Sequence, residues 1–80
     1  MDEGIWVLVV DDELSVRKIV ELQLRKLGYK VILAEDGKEG VEIYKEKKSE
    51  VDLVLLDMIM PNMAGRETYL ELKNINPDVK

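Results

Sequence analysis

Polar and apolar residues alternate along this chain in two different periods. Three short apolar runs are broken only by isolated polar residues, and the segments between them carry apolar residues at helical spacing. The first run, Ile5-Trp-Val-Leu-Val-Val10, does not alternate and is rich in β-branched residues, which predicts a strand covered on both faces. Asp11-Asp12-Glu13 then opens a helix, where negative charge suits the amino-terminal dipole. That helix is expected to run to about Leu27. Val16, Ile19, Val20, Leu24 and Leu27 form its apolar face, with Gln23 as the one polar member. Arg25 and Lys26 occupy its last turn, and Gly28 follows as the stop.

Tyr29 to Ala34 is the second predicted strand. Asp36, with Glu39 three residues on, has the spacing of a capping pair for a second helix that carries Val41, Ile43 and Tyr44. This helix dissolves in Glu46-Lys-Lys-Ser-Glu50, a solvated charge run. Leu53 to Leu56 is the third strand and Pro61 to Gly65 a loop. A third helix runs from Arg66 to about Lys73, and Asn76-Pro77 marks a stop, because the residue before a proline is pushed out of the helical region. The resulting βαβαβα order predicts an α/β fold with a parallel sheet and right-handed crossovers. No linker, low-complexity tract or repeat beyond the βα alternation interrupts it.

Composition narrows the chemistry. Eighty residues allow one small domain, with a net charge of −5 that repels a phosphate backbone and argues against direct nucleic-acid binding. The chain has neither cysteine nor histidine. Disulfides, thiol catalysis, Cys-based zinc sites and a histidine nucleophile, base or metal ligand are thereby excluded, which leaves hard oxygen ligands as the only strong metal chemistry. No apolar run approaches the ~20 residues of a membrane span and no signal-peptide pattern opens the chain, so the expected location is the cytoplasm.

The candidate chemistry lies at the strand ends. Asp11 and Asp12 close the first apolar run, and Asp57 closes the third. In a parallel sheet the carboxyl ends of all strands share one edge, where α/β proteins place reactive groups. If the first and third strands are neighbours, the three carboxylates converge and repel one another. A divalent hard cation resolves that conflict. Mg2+ takes one or two carboxylates, waters and a phosphate oxygen, so the cluster suits phosphoryl transfer with one carboxylate as nucleophile. The plainer alternative is capping, with Asp11, Asp12 or Glu13 serving the first helix and Asp57 a turn. Met58, Met60 and Met63 are better explained as loop or core packing than as a soft-metal site, and Trp6 as core.

Val9-Val10-Asp11-Asp12-Glu13, taken with Leu55-Leu56-Asp57-Met58-Ile59-Met60-Pro61-Asn62-Met63-Ala64-Gly65, resembles the response-regulator receiver domain of two-component signalling. The spacing between the blocks and Ala34-Glu35-Asp36-Gly37 after the second strand fit as well. The resemblance implies a flavodoxin-like, doubly wound fold with strand order 2-1-3 in this portion. It implies that Asp57 accepts a phosphoryl group from a sensor histidine kinase, forming an aspartyl phosphate. It further implies that Asp11, Asp12, Asp57 and the backbone carbonyl of Ile59 hold Mg2+. Ala64 departs from the pattern, since receivers often carry an aspartate there.

The larger departure is length. Receivers have five βα units, with a Ser or Thr ending the fourth strand and a Lys ending the fifth. Residues 1–80 match about the first two thirds, a truncated receiver domain, and Ser15, Ser49, Thr68 and Lys80 are not placed to replace the absent pair. Phosphorylation and switching are therefore expected to be impaired in the 80-residue chain. The third strand, central in a receiver, becomes an apolar edge that invites pairing with another chain. The expectation is a two-fold homodimer through that strand or through swapped elements. Two other functions compete: a half-domain that serves only as a dimerisation module, and a phosphatase with an aspartyl nucleophile. The second usually needs an acid two residues beyond the nucleophile, where this chain has Ile59, so no enzymatic activity is expected.

Overall fold

The apolar runs become strands and the segments at helical spacing become helices. A computed structural model describes residues 4–57 and 65–80. In chain order these form β1 (Trp6–Val10), α1 (Leu14–Lys26), β2 (Lys30–Ala34), α2 (Gly37–Lys47), β3 (Leu53–Leu56) and α3 (Gly65–Ile75). The sheet is parallel, in the order β2-β1-β3. Val10 lies opposite Ala34 on one side and Leu56 on the other, so the carboxyl ends of all three strands are level.

This order places the helices. The chain steps from β1 to β2 in one direction and from β2 to β3 in the other. Right-handed crossovers in opposite directions put their helices on opposite faces. Val7, Val9 and Val31 accordingly pack with Val20 and Leu24 of α1, while Leu8, Val10 and Ala34 pack with Val41 and Tyr44 of α2 and Leu72 of α3. Buried on both faces, β1 explains why its sequence shows no alternation.

Several ends match local signals. Gly28, at φ +95°, closes α1: its N–H donates to the carbonyl of Arg25 at 3.0 Å, and that of Tyr29 to Leu24 at 3.0 Å. This double bond is the Schellman arrangement that favours glycine. Asp36 caps α2 by accepting from the Glu39 N–H at 2.8 Å, and the Glu39 carboxylate accepts from the Glu35 N–H at 2.7 Å. The Asp36–Glu39 pair thus caps as its spacing predicts, with the return bond one residue earlier than in the standard box.

Other details differ from the sequence reading. Helix α1 begins at Leu14, so the acids precede it rather than form its first turn. No α1 residue is fully buried: of the predicted apolar face only Val20 and Leu24 reach the sheet, while Ile19 is 56% and Leu27 73% exposed. One helix laid on a three-stranded sheet offers its neighbour a single stripe of contact. Trp6 is half-buried rather than core, at the amino end of the sheet, with the Lys30 ammonium 5.5 Å from its ring centroid. Helix α3 runs from Gly65 to Ile75, longer than predicted at both ends. The edge of β3 is not bare throughout, because the Val54 N–H donates to the carbonyl of Lys80 at 2.8 Å.

Candidate functional site

Each strand-end acid is set by the ladder it continues. The Asp11 N–H donates to the Ala34 carbonyl at 3.1 Å, extending the β1–β2 pairing by one residue. The Asp57 N–H donates to the Val10 carbonyl at 3.0 Å, doing the same for β1–β3. Both aspartates therefore leave the sheet from hydrogen-bonded positions on adjacent strands. Strand order reverses between β1 and β3, which opens a crevice at their carboxyl ends.

Into that crevice come the three predicted carboxylates. Asp11, Asp12 and Asp57 each offer an oxygen lying within 4.8 Å of the others. Asp11 and Asp57 are half-buried and Asp12 is exposed. A groove of about 560 Å³ runs from the acids between α1 and β3, floored by Val9 and Leu55 and walled by Val16 and Val20.

The capping alternative holds in part. The Asp11 carboxylate accepts from the Glu13 N–H at 2.9 Å, so it shapes the entry to α1 while facing the cluster. Glu13 itself, at the cap position, makes no side-chain capping bond. Ile59, whose carbonyl was expected to complete the ligand set, lies outside the described residues, as do Met58, Met60, Pro61, Met63 and Ala64.

The donor set suits a hard cation. It contains oxygen only, and ligand oxygens at about 2.1 Å from an octahedral ion stand about 3–4 Å apart. Carboxylates within 4.8 Å reach that spacing by small side-chain rotations or through one water. Two strands fix the backbone of two of the three, so little ordering cost remains. The sequence reading missed Arg17, whose guanidinium Nη1 donates to the Asp11 carbonyl at 2.8 Å. The available signal was a long cation in the first turn of the helix that follows the acids.

Residues 7–80 match the family described as the response regulator receiver domain. The probable transcriptional regulator ycf27 of Porphyridium aerugineum is 43% identical over 67 residues, which cover 84% of this chain and 27% of that protein. A receiver domain protein from Clostridium thermocellum superposes with a TM-score of 0.91 at 32% identity, over 94% of this chain and 60% of its own. A crystal structure of the histidine kinase ThkA in complex with the response regulator TrrA contains a chain that superposes with a TM-score of 0.85 at 34% identity, over 95% of this chain and 64% of that one. This chain thus spans about a quarter of the curated relative and less than two thirds of the solved structures.

Proposed function

This chain belongs to the response regulator receiver domain family, and on that premise we propose that Asp57 is the phosphoacceptor of a two-component phosphorelay. The single observation that carries this is the meeting of three carboxylates within 4.8 Å at the ends of two adjacent strands. The donor is the phosphohistidine of a sensor histidine kinase, a partner class supported by the kinase complex among the similar structures. Residues 1–80 are the amino-terminal part of a receiver, a signalling module of the cytoplasm and not an enzyme. Among the described residues no helix is long and apolar enough to cross a membrane.

The residues divide the work. A carboxylate oxygen of Asp57 attacks phosphorus and forms the O–P bond of an acyl phosphate. The P–N bond breaks, and its electron pair leaves with the imidazole nitrogen of the kinase. Asp11, Asp12 and Asp57, with the Ile59 carbonyl that the family pattern adds, would hold Mg2+, which would supply neutralisation of charge on the phosphoryl oxygens. The backbone bonds from Asp57 to Val10 and from Asp11 to Ala34 keep nucleophile and ligands in register.

The Ser or Thr and the Lys that the family carries on its fourth and fifth strands have no counterpart in residues 1–80, so this chain alone is a poor acceptor. The test is incubation with acetyl phosphate and Mg2+, with and without a peptide supplying the remaining strands, read by intact mass. We expect one phosphoryl group per chain only when the peptide is present, and none in Asp57→Asn. Incorporation that survives Asp57→Asn would refute the assignment.

Exposed leucines favour a second role for the 80-residue chain. Leu53 and Leu55 lie on the sheet face that α1 covers only in part, 36% and 39% exposed, and Leu22 and Leu27 stand out from α1. Such a surface suits self-association into a homodimer. A monomer by light scattering at micromolar concentration would exclude it.

A further inference from the structure

We propose that Arg17 is a positioning residue for the acidic site, holding the peptide plane that carries Asp12. The proposal rests on the reading of Asp11 and Asp12 as Mg2+ ligands. Arg17 sits in the first turn of α1, and its own N–H donates to Glu13 at 2.9 Å, opening the helical ladder. Its side chain folds back toward the amino end, as helical side chains do. There Nη1 donates to the Asp11 carbonyl at 2.8 Å. That carbonyl belongs to the loop, two residues before the helix cap, so the bond ties the loop to the helix.

Asp11 is then held at three points: its N–H by Ala34, its carboxylate by Glu13 and its carbonyl by Arg17. The second closes a turn around Asp12, and the third holds the peptide plane that leads into it. A peptide group is planar, so fixing the Asp11 oxygen fixes the Asp12 nitrogen and the direction in which Asp12 leaves the strand. Asp12 is exposed, so its direction depends on these two bonds more than on packing. Arg17 is half-buried against the helix and the β2 side of the loop, so the clamp is partly ordered before any ion arrives.

Charge and position predict opposite signs, which makes the proposal decidable. A guanidinium near a cation site repels the cation, so if charge dominated, removing it would tighten Mg2+ binding. If positioning dominates, removing it loosens binding.

The test uses the 80-residue chain and its Arg17→Met, Arg17→Lys and Lys18→Met variants, below their melting temperatures. Two quantities are read: amide exchange by NMR in metal-free protein, and the Mg2+ dissociation constant by calorimetry. In Arg17→Met we expect the Asp11 and Glu13 amides to exchange about tenfold faster while those of Leu8 and Val9 keep their rates, and Mg2+ to bind about tenfold more weakly. Arg17→Lys recovers part of both. Lys18→Met, which removes the same charge from an exposed position, stays within about twofold. Unchanged exchange in Arg17→Met overturns the proposal, as does equal or tighter Mg2+ binding. If the wild-type chain binds no Mg2+, the metal reading of the acids fails, and the exchange rates alone decide whether Arg17 clamps the loop.

Discussion

Replacing Gly40 with alanine sets two effects of opposite sign against each other. Gly40 is buried on the face of α2 that meets β1. In a helix interior, glycine to alanine gains about 1 kcal/mol of propensity. Here the new Cβ would stand 2.8 Å from Val10 Cγ2, closer than carbon atoms approach, and 3.3 Å from Cγ1, a tight contact. Val10 is 1% exposed and lies between Ala34 of β2 and Leu56 of β3, and its branched side chain is stiff, so its methyl groups have little room to give way. Overpacking of this kind costs about 1–3 kcal/mol. The clash wins, and Gly40→Ala should lose roughly 1 kcal/mol net. Urea unfolding followed by circular dichroism, at one fixed protein concentration, should show the midpoint falling by about 1 M, given a slope near 1 kcal/mol per molar for a domain of this size. In a Val10→Ala background the obstructing methyls are gone, and the same substitution should become neutral or stabilising by up to about 1 kcal/mol. A raised midpoint for Gly40→Ala in the otherwise native chain would refute the close packing of α2 on β1. Because the Val10 carbonyl accepts the Asp57 N–H, that result would also weaken the account of how the acid is held.

Three further outcomes are expected. Gly28→Ala forces a side chain into a backbone at φ +95° with open space around it, so it should cost about 1 kcal/mol through backbone strain alone, measured by the same unfolding. Tyr44→Phe removes the hydroxyl that accepts from Asn76 Nδ2 at 2.9 Å and joins α2 to the turn after α3. It should cost about 1 kcal/mol, and a double mutant with Asn76→Ala should show that the two losses do not add. Mg2+ at about one hundred times its dissociation constant should stabilise the chain by about 2.7 kcal/mol, an increment abolished by chelation with EDTA and absent in Asp12→Asn. An undiminished Mg2+ increment in that variant would remove Asp12 from the site.

Local order was legible in the residues themselves. The unbroken apolar run of β1, the glycine that closes α1 and the Asp36–Glu39 pair that opens α2 each depend on neighbours a few positions away, and each formed where its pattern lies. The acids at the ends of two apolar runs were legible for the same reason, since a strand delivers its last residue to a known edge. That Asp57 meets Asp11 and Asp12 was legible only through the family resemblance, not from the residues alone. It requires β3 to lie beside β1, which the family pattern suggested and only the order β2-β1-β3 decided. The apolar face of α1 shows the other limit. Periodicity says that a helix has a greasy side, but the width of the sheet beneath determines how much of it is covered, so Val20 and Leu24 are packed while Ile19 and Leu27 face outward. The bonds from Arg17 to Asp11 and from Val54 to Lys80 belong to the same class. Residues state what they can bury, donate or accept. Which partner lies within reach follows from the crossovers and the register of the sheet.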